Sequence, residues 1–108
     1  MAGREKRAAL NEAASRNLNE EIEAAHEEAG REGHVRMLCE CGRAQCDRVI
    51  AMSLDEYEQV RRDPRRFAVA PDHVLPEIEE VIEDRGRFLV VEKRPGTPAA
   101  LSEEEDPR

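Results

Sequence analysis

The stretch "LCECGRAQCD", Leu38 to Asp47, holds all three cysteines of the chain in the spacing C-x-C-x-x-x-x-C. Three thiols make an odd number for disulfides and fall one short of a closed zinc site, which takes four nitrogen or sulfur ligands in a tetrahedron. In an extended backbone, side chains two apart point to the same side, so Cys39 and Cys41 can face one ion. Gly42 gives the chain room to turn, and four intervening residues can bring Cys46 back to the same point. The expected cofactor is therefore zinc, with Cys39, Cys41 and Cys46 as three of its ligands. A disulfide between Cys39 and Cys41 would be strained by its very small loop.

Three histidines compete for the fourth position. His26 lies beside Glu27 and Glu28 in a helical stretch, which reads as a solvated face. His34 lies five residues before Cys39 and reaches the cluster only if the strand between them bends. His73 sits in "PDHVLP", a loop stiffened by a proline at each end. It is preferred for that reason, with His34 as the alternative.

Composition makes a metal staple plausible energetically. The chain has 108 residues, no Trp, one Tyr and two Phe, and its apolar and charged fractions are both 39%. So thin a core leans on an added constraint. Structural zinc contributes an apparent folding energy of about 10 to 16 kcal/mol in small peptides, as much as a whole domain's net stability.

Before the cysteines, residues 4–29 lack Gly and Pro and are rich in strong helix formers, so a long helix is expected there, stopped by Gly30. Leu10, Ala14, Leu18, Ile22 and Ala25 recur at helical spacing and mark one narrow apolar stripe. Beyond it, alternation over 34–40 and the run "RVIAMS" read as two strands, with the cysteine loop at the tip of their hairpin. "SLDEYEQVRRD" opens on a capping box, Ser53 with Glu56, and carries Leu54, Tyr57 and Val60 on one face before Pro64 ends it. "RFAVAP" reads as a short strand, and residues 79–93 as a hairpin turning near Arg85 and Gly86. The fold class expected is α+β: a long N-terminal helix (1–30), a small zinc-stapled, zinc-ribbon-like domain of short antiparallel strands with one or two short helices (31–94), and a mobile acidic tail (95–108).

Charge narrows the partners. The formal net charge is −8. The first 30 residues carry −3, residues 31–73 none, and 74–108 carry −5. General nucleic-acid binding is not expected without a positive field. The local exception is "RRDPRR", where Arg61, Arg62, Arg65 and Arg66 could recognise phosphate or carboxylate groups. With the helix residues Leu10, Leu18 and Ile22, these arginines are the candidate contacts for a protein partner of unspecified identity. For both sets the plain alternative is packing or salt bridging within the chain itself. No apolar run is long enough to span a bilayer and no secretion signal is present, so a cytoplasmic protein is expected, where clustered cysteines are metal ligands or redox groups.

"CECGRAQC", "SLDEYEQVRRDPRRF", "APDHVLPEIEEVIE", "LVVEK" and the closing "DPR" resemble a family of short uncharacterised actinobacterial proteins. That family carries C-E-C-G-x-x-x-C, a later E-Y-E-x-V-R segment and a P-x-H-x-x-P-E loop. The resemblance runs from Leu38 to Lys93, with "NEAASRNLNEEIE" similar to the family's leading helix. It implies a shared architecture and the ligand set Cys39, Cys41, Cys46 and His73, but no activity. One departure is Asp72, where the family has Gly before the histidine.

The function expected is a zinc-stabilised interaction or regulatory module without catalysis. A thiol or zinc redox sensor comes second, since Arg43 and Arg48 flank the cysteines but Glu40 and Asp47 offset them. A small metal-dependent enzyme comes third: no H-E-x-x-H and no Gly-rich phosphate loop is present, and the chain is short for a deep pocket.

Overall fold

Strong helix formers and the absence of Gly and Pro after Gly3 produce a 25-residue helix, α1 (Ala2–His26). The computed structural model describes residues 2–27 and 33–108; the expected stop at Gly30 lies outside them. Then follow β1 (His34–Leu38), β2 (Val49–Ser53), α2 (Leu54–Arg61), β3 (Arg66–Val69), β4 (Glu79–Asp84), β5 (Leu89–Lys93) and α3 (Thr97–Glu104). The expected α+β class, a long helix followed by short antiparallel strands and short helices, is the fold observed.

β1 and β2 form an antiparallel hairpin with His34 opposite Ser53 and Leu38 opposite Val49. The ten residues between them carry the cysteines. A second antiparallel sheet has the order β3-β5-β4. Its β4–β5 hairpin turns through Gly86, whose φ of 75° suits a residue without Cβ. α2 begins as the capping box requires: Glu56 N–H donates to Ser53 Oγ at 3.1 Å, and Ser53 N–H donates to Glu56 Oε1 at 2.9 Å. Leu54, Tyr57 and Val60 turn inward together. They meet Met37, Ile50 and Met52 from the first hairpin, Phe67, Val69 and Val91 from the second sheet, and Phe88 from the turn before β5 in one apolar core.

How α1 attaches differs from the apolar stripe. Leu10 and Leu18 are 46% and 49% exposed, and Ala14 and Ala25 also face outward. Only Ile22 of that stripe packs, in part, against the core. Apart from Ala9, the buried face is polar: Glu12, Arg16, Asn19 and Glu23, at helical spacing. Each meets a partner that the rest of the chain supplies. Lys93 Nζ donates to Glu12, and to Glu79 at 2.6 Å. Arg16 donates to the carbonyls of Pro64 and Arg66, with its guanidinium 3.8 Å from the Phe67 ring centre. Glu23 takes Arg108 at 3.4 Å.

The tail differs too. Residues 97–104 form α3, with Pro98 in its first turn, and Ala99 and Ser102 are buried. Asp106 and Arg108 then reach back to Arg61, Glu20 and Glu58. Ion pairing across the molecule replaces the apolar area that the tail lacks. No helix among the described residues is long and apolar enough to cross a membrane.

Candidate metal centre

Cys39 continues the line of β1, its N–H donating to Arg48 C=O at 2.9 Å. This makes it the fixed member of the cluster. Cys41 lies two residues on, and the turn at 44–45 returns Cys46 to the same side. His73 arrives from the loop after β3, where its N–H donates to Ala70 C=O at 2.9 Å. The four ligand atoms lie within 4.8 Å of one another. His73 Nδ1 is 3.5, 3.4 and 3.4 Å from the sulfurs of Cys39, Cys41 and Cys46. A tetrahedron with a metal–sulfur bond near 2.3 Å and a metal–nitrogen bond near 2.0–2.1 Å has sulfur–nitrogen edges of about 3.5 Å. One nitrogen equidistant from three sulfurs at that length is the arrangement a single cation requires.

Backbone N–H groups brace the sulfurs. Ala70 N–H donates to Cys39 Sγ at 3.2 Å. Cys41 N–H also serves Cys39, Arg43 N–H serves Cys41, and Arg48 N–H serves Cys46. Such donors favour the thiolate, the form that ligates a metal. As free thiols the three would not ionise alike. Cys39 is held below its usual range, first by the thiol of Cys41 and then by these N–H groups against the opposing effect of burial. Cys41, which donates to it, is pushed strongly up, and Cys46 is pushed up by burial. His73 Nε2 faces outward with Asp72 Oδ1 3.9 Å away, and Asp72 Oδ2 accepts from Arg48 at 3.2 Å. Asp72 thus stands beside the ligand's free nitrogen without bonding to it.

The residue between the first two cysteines is as fixed as they are. Glu40 points away from the sulfurs, fully buried. Its backbone N–H donates to Ala68 C=O at 2.8 Å, and its Oε1 accepts from Ala68 N–H at 3.2 Å. Oε2 accepts from Asn19 at 3.0 Å, and Arg16 Nε lies 3.9 Å from Oε1. Asn19 also completes the edge of β1, accepting from Leu38 N–H at 2.7 Å and donating to Leu38 C=O at 2.9 Å. On the other side of the loop Asn11 donates to Gly42 C=O at 3.1 Å. Gly42 is needed for close approach: an added Cβ would lie 2.8 Å from Ala8 Cβ. The cysteine loop is therefore seated on α1 as well as on β3.

Sequence reasoning singled out the four clustered residues, and the structure brings them together. His34 is exposed at the start of β1, and His26 is exposed on α1, where its ring meets Ile22 C=O; both lie outside the cluster. The arginine segment divides. Arg61 is buried, its guanidinium held by Glu20 at 2.9 Å and Asp106 at 2.5 Å, so it cannot serve as an exposed contact. Arg65 pairs with Asp63 at 3.0 Å, Arg66 with Glu92 at 3.1 Å, and Arg62 is exposed. Glu40, Asn19 and Arg16 were missed. Glu40 carried a signal, because a residue between two ligands of one ion on an extended strand must face the opposite way. Asn19 and Arg16 had none within their helix.

No protein-family model, curated protein or solved structure matches the chain.

Proposed function

We propose that the Cys39, Cys41, Cys46 and His73 cluster holds one zinc ion as a structural centre, and that the chain is a small, non-catalytic module that binds another macromolecule. The observation that carries the metal reading is the set of three near-equal sulfur–nitrogen distances, 3.4 to 3.5 Å, around one imidazole nitrogen. Three thiolates and an imidazole form a soft donor set that suits zinc. Four protein ligands also complete a tetrahedron, leaving no position for a substrate or an activated water. Kinship with the C-E-C-G-x-x-x-C family belongs to the same proposal and leads to the same ligands, in the reducing cytoplasm where thiolates persist.

For the partner, Leu10 and Leu18 stand outward on α1 and Arg62 is exposed beyond α2. They are the members of the expected contact set that the fold leaves accessible, and a helix face of this kind suits docking into a partner's groove.

Metal analysis of protein purified without chelator tests the centre. About one zinc per chain is expected, lost in His73→Ala and Cys41→Ser and retained in His34→Ala. Zinc that survives His73→Ala but not His34→Ala would overturn the ligand assignment, and no bound metal would overturn the centre. For the partner surface, the double variant Leu10→Glu, Leu18→Glu should keep its zinc yet lose a specific partner that the unaltered chain captures. A partner retained by that variant would remove α1 from the proposal.

A further inference from the structure

Resting on that metal reading, we infer that Cys46 is a modification site: a hydroperoxide oxidises it first, Cys41 resolves it, and the resulting Cys41–Cys46 disulfide expels the metal while Cys39 stays reduced. The three sulfurs differ in access. Cys39 and Cys41 are each 1% exposed, whereas Cys46 is half-buried behind exposed residues 43–45. Cys39 is further held by its own N–H on Arg48 C=O at 2.9 Å and by Ala70 N–H on its sulfur at 3.2 Å. The sulfurs of Cys41 and Cys46 lie within 4.8 Å of each other.

The fold shifts the balance of charge at Cys46 towards the cations by removing one of the two acids that flank the cysteines in sequence. In the sequence, Glu40 and Asp47 offset Arg43 and Arg48; in the fold Glu40 faces the opposite way, occupied by Ala68, Asn19 and Arg16, while Asp47 stays exposed next to Cys46. Arg43 and Arg48 remain at the exposed rim, with Arg48 on Asp72. Cations beside a thiolate stabilise the negative charge that develops on the departing oxygen. The loop also has reason to rearrange. Gln45, immediately before Cys46, has a φ of 58°, the left-handed region that costs a residue with a side chain.

In the first step the Cys46 thiolate attacks the O–O bond of the hydroperoxide. Sulfur gains one oxygen as a sulfenic acid, and the other oxygen leaves as hydroxide or an alkoxide that takes a proton. The Cys41 thiolate then attacks the Cys46 sulfur, the S–S bond forms, and the second oxygen departs as hydroxide and is protonated to water. The two thiolates lose two electrons in total and the peroxide gains them. With two of four ligands gone, the cation dissociates.

The test treats the purified, metal-loaded chain with hydrogen peroxide, following metal release with a chromogenic chelator and mapping cysteines by non-reducing peptide mass spectrometry. Metal release in step with a Cys41–Cys46 disulfide, Cys39 remaining a thiol, and restoration by dithiothreitol plus zinc are expected. Arg43→Glu, whose side chain ligates nothing, should keep its metal and slow release several-fold. Retained metal with intact thiols, a disulfide that includes Cys39, or Cys46 oxidised without a disulfide would each overturn the inference. A chain purified without metal would defeat the metal reading, while the peptide map would still decide which sulfurs pair.

Discussion

At the scale of single residues, the cysteine loop depends on groups outside the Cys–His cluster. Glu40 lends its backbone N–H and its carboxylate to Ala68, so a single residue beside the cysteines pairs with β3 as a strand would. Gly42 is set by proximity to Ala8, whose Cα and carbonyl oxygen would lie 3.1 and 3.2 Å from an added Cβ. Gly42→Ala should therefore cost about 1 to 3 kcal/mol in urea unfolding, because the clash is with Ala8 Cβ and the backbone behind it, which no rotamer change can relieve. Adding Ala8→Gly should recover part of the loss, with a coupling of about 1 kcal/mol between the two sites. Strictly additive effects would mean that the loop does not rest on α1 at this point. The four-residue cluster was legible in the sequence because closely spaced cysteines have few fates and a histidine between prolines is presented in a fixed way. The close approach of Ala8 to Gly42 was not, since it joins residues 34 apart that no local pattern connects.

Among the elements, α1 most separates pattern from packing. Its length and helicity follow from composition, and the capping box and shared face of α2 were equally readable. Its orientation was not. Apolar periodicity assumes that the buried face is apolar, and here the partners of α1 are backbone carbonyls, a lysine and an aromatic ring, which select Glu12, Arg16 and Asn19 instead. Those partners come from residues 38 to 93, so the correct face is defined only once the rest has folded. Two substitutions distinguish the faces. Leu18→Glu should change stability by no more than about 0.5 kcal/mol, as at an ordinary surface site. Arg16→Ala should cost about 3 kcal/mol or more, because it leaves Glu40 with an uncompensated buried charge. The reverse ranking in urea melts would restore the apolar stripe. The tail follows the same rule: α3 and its ion pairs were hidden because their partners, Glu20, Glu58 and Arg61, lie far away in sequence.

Across the whole molecule, two clamps hold distant segments together. One is ionic. Lys93 of β5 sits between Glu12 of α1 and Glu79 of β4, all three side chains buried. Burial raises the Glu12 carboxyl to about 7, with Glu79 adding to the rise while Lys93 and Arg16 oppose it. Between its unfolded value of 4.5 and about 7, the folded chain then binds more protons at Glu12 than the unfolded chain does. The Glu12 contribution is thus fully present below pH 4.5 and is lost as pH rises through about 7. Stability measured in urea should fall across that window relative to Glu12→Gln; a difference that is flat or rises with pH would contradict the assignment. The other, the proposed metal clamp, would join the first hairpin to the loop after β3 through Cys39, Cys41, Cys46 and His73. Its most direct test is X-ray absorption at the zinc edge of the purified chain. The account predicts one nitrogen and three sulfur neighbours, near 2.0–2.1 Å and 2.3 Å respectively. A shell of oxygen and nitrogen atoms, four sulfurs, or no zinc signal at all would contradict it.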